Sequence, residues 1–140
     1  MDAVAGTRRI PAAVVWGAVV GVLQTLSPLA FWWLDPATVY AFGLVFIAAI
    51  YIGFAVADGR PNVILVESIV ASVFVVLAAL TISASVWWVV VGLLGHGLKD
   101  LWQHRNLFVS TTRWWPPFCA VVDFVAGSLI AVAIIIGIVE

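Results

Sequence analysis

Apolar runs of roughly 20 residues, each halted by a short cluster of turn-forming residues, recur along this 140-residue chain, and that is the length a helix needs to cross a bilayer. The first run extends from about Ile10 to Leu34 and stops at Asp35-Pro36, a pair that ends one helix and, with proline in its first turn, begins the next. The second covers about Ala37 to Ala57 and stops at Asp58-Gly59-Arg60-Pro61-Asn62, which is dense in turn formers. From Val63 to Arg105 no strong breaker occurs over about 43 residues, twice what one bilayer-crossing helix accommodates, so the segment folds back on itself. Its polar cluster Thr81-Ile82-Ser83-Ala84-Ser85 takes the turn, which predicts spans over 63–81 and 86–105. A polar, aromatic connector, Asn106 to Trp115, leads to Pro116-Pro117 and a last span over 118–139. The pattern predicts a single all-α domain, an integral membrane bundle of five transmembrane helices over 10–34, 37–57, 63–81, 86–105 and 118–139.

Composition sharpens this picture by exclusion. With 65% hydrophobic and 9% charged residues and a mean hydropathy of +1.21, the chain lies far outside the range of soluble globular domains. A net charge of −1 with six basic residues gives no patch able to neutralise several phosphates, which argues against nucleic acid as a partner. One cysteine cannot form an internal disulfide and leaves the redox compartment unread.

The basic residues orient the bundle, because arginine and lysine collect in loops that stay in the cytoplasm. Five spans with a cytoplasmic N-terminus and an outer C-terminus put Arg8, Arg9, Arg60, Lys99, Arg105 and Arg113 all on the inner side, the arrangement of a multi-pass protein of a cell membrane, such as a bacterial inner membrane. Trp32, Trp33, Trp87 and Trp88 then mark the outer interface, and Trp102, Trp114 and Trp115 the inner one. Thr7-Arg8-Arg9 has the look of a signal-peptide start, but the apolar stretch behind it is too long and bulky Phe31-Trp32-Trp33 replaces a cleavage site, so the first span is expected to be retained. Gly17-x-x-x-Gly21 has the spacing of a helix-packing face through which a homo-oligomer could form.

Both histidines fall in one stretch, Gly95-His96-Gly97-Leu98-Lys99-Asp100-Leu101-Trp102-Gln103-His104, inside the predicted fourth span. Residues four apart on a helix are rotated by about 40°, so His96, Asp100 and His104 form one stripe, with His96 near the midplane and His104 at the inner boundary. Gly92, Gly95 and Gly97 surround its start and allow a close approach. Glu67 in the third span and Asp123 in the fifth lie in the same half of the bilayer, Asp58 ends the second, and Cys119 shares a helix face with Asp123. Ionisable residues within a span usually face the bundle interior and mark a site.

Two imidazoles with carboxylates suit zinc, iron or manganese. The economical divalent site takes His96, Asp100, Glu67 and Asp123, with His104 a further ligand only if the helix bends. Without metal, the same residues form a catalytic acid–base set in which Asp100 orients an imidazole base and Glu67 or Asp123 acts as acid. Structural alternatives stand beside these: Lys99 can pair with Glu67, Arg105 with Asp58 or a lipid phosphate, and His104 can be solvated. Cys119 reads as a small buried apolar residue, and Gln24, Thr25 and Ser27-Pro28 as local packing or a proline kink.

The segments His96-Gly97-x-x-Asp100-x-x-x-His104 and Trp115-Pro116-Pro117-Phe118-Cys119-x-x-x-Asp123 resemble the paired signatures of a family of small, uncharacterised bacterial integral membrane proteins. The resemblance covers the last two spans and implies that the two segments form one site, without implying a substrate. A more distant similarity is to the alkaline ceramidase-like membrane hydrolases, which hold zinc with histidines and an aspartate in a helical bundle; this chain has fewer spans and a different motif order, so no residue is carried over. Three functions remain: an intramembrane enzyme acting on a lipid or isoprenoid, a small transporter or proton path, and a structural or assembly subunit. Membrane lipids are partners in all three.

Overall fold

The computed structural model describes residues 11–110 and 113–140 and contains five helices, α1 (Ala12–Ala30), α2 (Pro36–Asp58), α3 (Pro61–Ser83), α4 (Trp87–Asn106) and α5 (Trp115–Ile135). The predicted start at Ile10, and Arg8 and Arg9 with it, lie outside the described residues.

The stops act as the sequence predicts at the first two turns. Asp35 caps α2 by accepting the Ala37 N–H at 2.8 Å, and Pro36 occupies a first-turn position that needs no donor. α2 ends on Gly59 at φ 81°, a left-handed conformation that the missing Cβ permits, and Pro61 opens α3.

Elsewhere the boundaries shift for local reasons. α3 runs through Thr81 to Ser83 because the Thr81 and Ser83 hydroxyls donate back to the carbonyls of Leu77 and Ala79, at 2.9 and 2.8 Å, and so are satisfied inside the helix. The turn follows over 84–86. α5 begins at Trp115, not Phe118, since Pro116 and Pro117 sit in its first turn and start the helix where they were expected to precede it. It ends at Ile135, short of residue 139, ahead of Gly137 at φ 75°. α1 stops at Ala30 and a turn occupies 31–34.

The helices pack as a ring in which α5 touches α1 and α4, α3 touches α4 and α2, and α2 also meets α1 and α4. α1 and α5 run parallel at close range: a Cβ on Gly17 would stand 2.7 Å from the Phe118 carbonyl oxygen, and one on Gly21 2.9 Å from that of Val122. The Gly17/Gly21 helix-packing face, through which a homo-oligomer could form, receives α5 of the same chain.

One end of the bundle, the Arg60 end, is tied by a polar junction. Arg60 donates to Asp58 from Nε at 2.6 Å and from Nη2 at 2.9 Å, and Nη2 also donates to the Phe108 carbonyl at 2.7 Å. The Ser110 N–H and hydroxyl donate to the same Asp58 carboxylate at 2.9 and 2.6 Å. Asp58 thus takes Arg60, two residues away, and not Arg105, which is exposed. The hydrogen bond to Asp58 holds Arg60 above its ordinary pKa.

Helices α1, α2, α3 and α5 are each long and apolar enough to cross a membrane. α4 falls below that mark because it carries His96, Lys99, Asp100, His104 and Arg105. The first of these and Asp100 are turned inward, while large apolar side chains such as Leu29 and Phe46 face outward, an inside-out surface that lipid covers at no cost. Trp32, Trp33, Trp87 and Trp88 are exposed around one end, the Trp33 end, and Trp102 and Trp114 around the other; Trp115 departs from this belt and packs against Phe54 and Phe118.

Candidate metal centre

The buried face of α4 passes through Val89, Leu93, His96, Asp100 and Gln103, alternating steps of four and three that keep one stripe against its neighbours. His96 and Asp100 are thereby stacked on the inner side, as are Cys119 and Asp123, four apart on α5. Gly97 brings the two helices together, since any Cβ there would meet the Phe124 ring at 3.1 Å.

The two stacked pairs meet in the interior. His96 Nδ1 lies 2.8 Å from Asp123 Oδ2 and 3.3 Å from Asp100 Oδ2, and Cys119 Sγ lies 4.0 Å from the same Asp123 oxygen. Ligand-type atoms of all four residues lie within 4.8 Å of one another, and all four side chains are buried. Donors around tetrahedral zinc, with bonds of about 2.0 to 2.3 Å, stand about 3.3 to 3.8 Å apart, so an ion would open the His96–Asp123 hydrogen bond and draw the wider pairs together. This group can hold a metal ion. His96 is wedged between Tyr51 of α2 and Phe74 of α3, with ring centroids at 5.3 and 4.8 Å, so four helices fix the orientation of one imidazole.

Buried polar atoms are normally paired, and here several are not. His96 Nε2, Asp100 Oδ1 and Asp123 Oδ1 have no hydrogen-bond partner among the described residues. Two carboxylates beside one imidazole also carry excess negative charge in a medium that tolerates little of it. A divalent cation with a neutral imidazole would balance Asp100 and Asp123 and could bind through His96 Nδ1 and the carboxylate oxygens that the protein leaves without a partner.

Glu67 is not brought into this group. Its Oε2 lies 2.9 Å from Lys99 Nζ and its Oε1 accepts from Gln103 Nε2. Lys99 Nζ also stands 3.7 Å above the centre of the Tyr51 ring. α3 therefore presents Glu67 to the flank of α4 that carries Lys99, and a buried carboxylate takes the cation within reach. His104 is exposed; it stands about 40° beyond Asp100, at the edge of the stripe and one turn nearer the helix end, where no neighbouring helix covers it. Gly95 is likewise exposed with open space around it, whereas Gly92 receives Leu44 of α2.

Three residues gain importance that the sequence did not give them. Cys119 completes the group, and its spacing from Asp123 was the available signal. Gln103 continues the stripe in place of His104. Tyr51 links the centre to the Lys99–Glu67 pair, and nothing in its apolar surroundings on α2 announced it.

A cavity of about 1040 Å³ lies between α1, α2 and α5. Its wall is apolar apart from Gln24, Ser27 and Cys119, and it extends from Trp115, Phe118 and Cys119 to Phe31, Trp33 and Leu34 at the Trp33 end. Cys119 is the member of the four-residue group that reaches this wall. A smaller cavity, about 410 Å³, flanks Glu67 and Lys99 between α3 and α4. No protein-family model, curated protein or solved structure matches the chain.

Proposed function

We propose that this protein is an intramembrane metal-dependent enzyme acting on a lipid or isoprenoid amphiphile. In this reading α4 is a fifth span made polar by its site, and the Arg60 end faces the cytoplasm of a bacterial inner membrane, where its basic residues belong. The observation that carries it is the buried His96/Asp100/Cys119/Asp123 group with its unpartnered oxygens and nitrogen. A mixed set of nitrogen, oxygen and sulfur donors suits zinc first and iron second, and disfavours magnesium and calcium.

Four protein ligands close a zinc site and make it structural; catalysis requires a position for water or substrate. Three of the four have reason to stay. His96 is held by two rings, and Asp100 and Asp123 by the charge they share with the ion. Cys119, on the cavity wall, is the ligand whose place a substrate can take. The ion would supply Lewis acidity and an activated water, with His96 and the two carboxylates holding it and the apolar walls keeping bulk water out.

Elemental analysis of detergent-purified protein tests the reading. Near-stoichiometric zinc or iron is expected in wild type, its loss in His96→Ala and Asp123→Asn, and its retention in Glu67→Gln and, at lower affinity, in Cys119→Ala. A folded wild type without transition metal, or loss in Glu67→Gln equal to that in His96→Ala, overturns it. A second reading, a proton or ion path, is supported by the run of polar groups from Gln103 through Glu67 and Lys99 to His96. Toward the Trp33 end, however, the buried face of α4 continues only as Leu93, Gly92, Val90 and Val89, which offers an ion no further step.

A further inference from the structure

We infer that the cavity between α1, α2 and α5 is the binding site for one apolar chain of a membrane amphiphile, entered with its polar end at Cys119, and that Gln24 reads an oxygen part-way along that chain. The inference rests on the metal-site reading for the chemistry at Cys119, but the chain site stands on its own geometry.

Length, lining and position argue for a single chain. From Val20 to Phe31 the wall follows α1 for about 16 Å, close to one leaflet of a bilayer whose hydrocarbon core is about 30 Å thick. Its volume is at the upper end of the range of small-molecule sites, about 300 to 1,000 Å³. Water finds almost nothing to bond there. The cavity ends on Cys119, the one residue that separates it from the buried polar centre, so an occupant is apolar along its length and meets that centre at one end.

Gln24 is the exception in that lining. Its Nε2 is buried and has no hydrogen-bond partner among the described residues. It projects against Gly43 of α2, where a Cβ would stand 2.9 Å away, so the missing side chain makes room for the amide. The Gln24 carbonyl, by contrast, is deliberately satisfied: Pro28 removes the N–H that would bond it, and the Ser27 hydroxyl donates to it at 2.6 Å. The backbone at this level is thus closed, while the side-chain donor, covered by Gly43, has no partner unless the amide turns into the cavity. Since Gly17 and Gly21 face Phe118 and Val122, Gln24 lies about 9 Å beyond Cys119 along the bundle. A carbonyl or ether oxygen at that distance from the reactive end would accept its N–H; an unbroken hydrocarbon would not.

The test uses the full-length protein in nanodiscs and two single-chain probes with a terminal diazirine, one all-methylene and one with a carbonyl about 9 Å from its polar head. Both are expected to label peptides of α1, α2 and α5 around the cavity, with the carbonyl probe binding the more tightly. Gln24→Leu is expected to weaken the carbonyl probe about tenfold and to spare the methylene probe. Ala49→Phe, at an exposed helical position on the wall, is expected to abolish labelling by both without unfolding the bundle. Labelling elsewhere, labelling unchanged in Ala49→Phe, or cross-linking of two copies through Phe42 and Phe46 overturns the chain site; equal affinity of wild type for both probes overturns the role of Gln24. Metal content measured on the same samples separates the two proposals, because chain labelling without bound metal refutes the metalloenzyme alone.

Discussion

Removing either partner of the Lys99–Glu67 pair leaves a single charge inside the bundle. Glu67 is 1% exposed and Lys99 only 12%, so solvent cannot compensate. Breaking a buried pair by deleting one member costs about 3 to 5 kcal/mol, whereas replacing both with apolar residues of similar size is often neutral. Lys99→Met is therefore expected to lower the detergent-unfolding midpoint strongly, and Lys99→Met combined with Glu67→Leu to restore most of it. A double variant no better than the single one would show that Lys99 serves something other than its partner. Metal retention in the double variant would separate this pair from the centre at His96.

Among the helices, small residues decide which faces meet. Gly17→Ala directs a Cβ at the Phe118 carbonyl, and a backbone atom of a packed helix yields little; a loss of about 1 to 3 kcal/mol is expected. Gly95 has open space on every side, so Gly95→Ala is expected to gain about 0.5 to 1 kcal/mol from helix propensity alone. Thermal or denaturant unfolding in one detergent compares the two, and equal effects would contradict the packing described for α1 and α5. The ends of α2 and the start of α3 were legible from Asp35-Pro36 and from Asp58 to Pro61 because those residues act locally. The start of α5 was misplaced since proline both stops a helix and begins one, and only the preceding chain direction decides. His96, Asp100 and Asp123 could be assigned from depth and spacing. Glu67 was legible only as two alternatives, a ligand or the partner of Lys99; the rotation of α3 about its own axis, which decides for Lys99, follows from packing against α2 and α4. Cys119 was undervalued because a thiol in an apolar helix looks the same to a sequence whether it faces lipid, core or metal.

For the whole molecule, the disposition of the two ends is the open physical quantity. Tryptophans ring both ends, but the basic residues Arg60, Arg105 and Arg113 gather at the Arg60 end, and the proposed orientation rests on that charge asymmetry alone. In a Cys119→Ser background, a cysteine at Ser85 is expected to react with an impermeant maleimide applied to intact cells, and one at Gly59 only after permeabilisation. The reverse pattern would put the Arg60 end outside and refute the proposed orientation.

The parallel seam between α1 and α5 joins two helices that are separated in the order of synthesis by three others. Until α5 enters the membrane, the groove cut by Gly17 and Gly21 has no covering, and its shape is the one through which nascent helices pair indiscriminately. A chain interrupted before Trp115 would leave the Gly17/Gly21 face bare and His96 and Asp100 without Cys119 and Asp123, so the last helix completes the packing seam and the polar centre in one step.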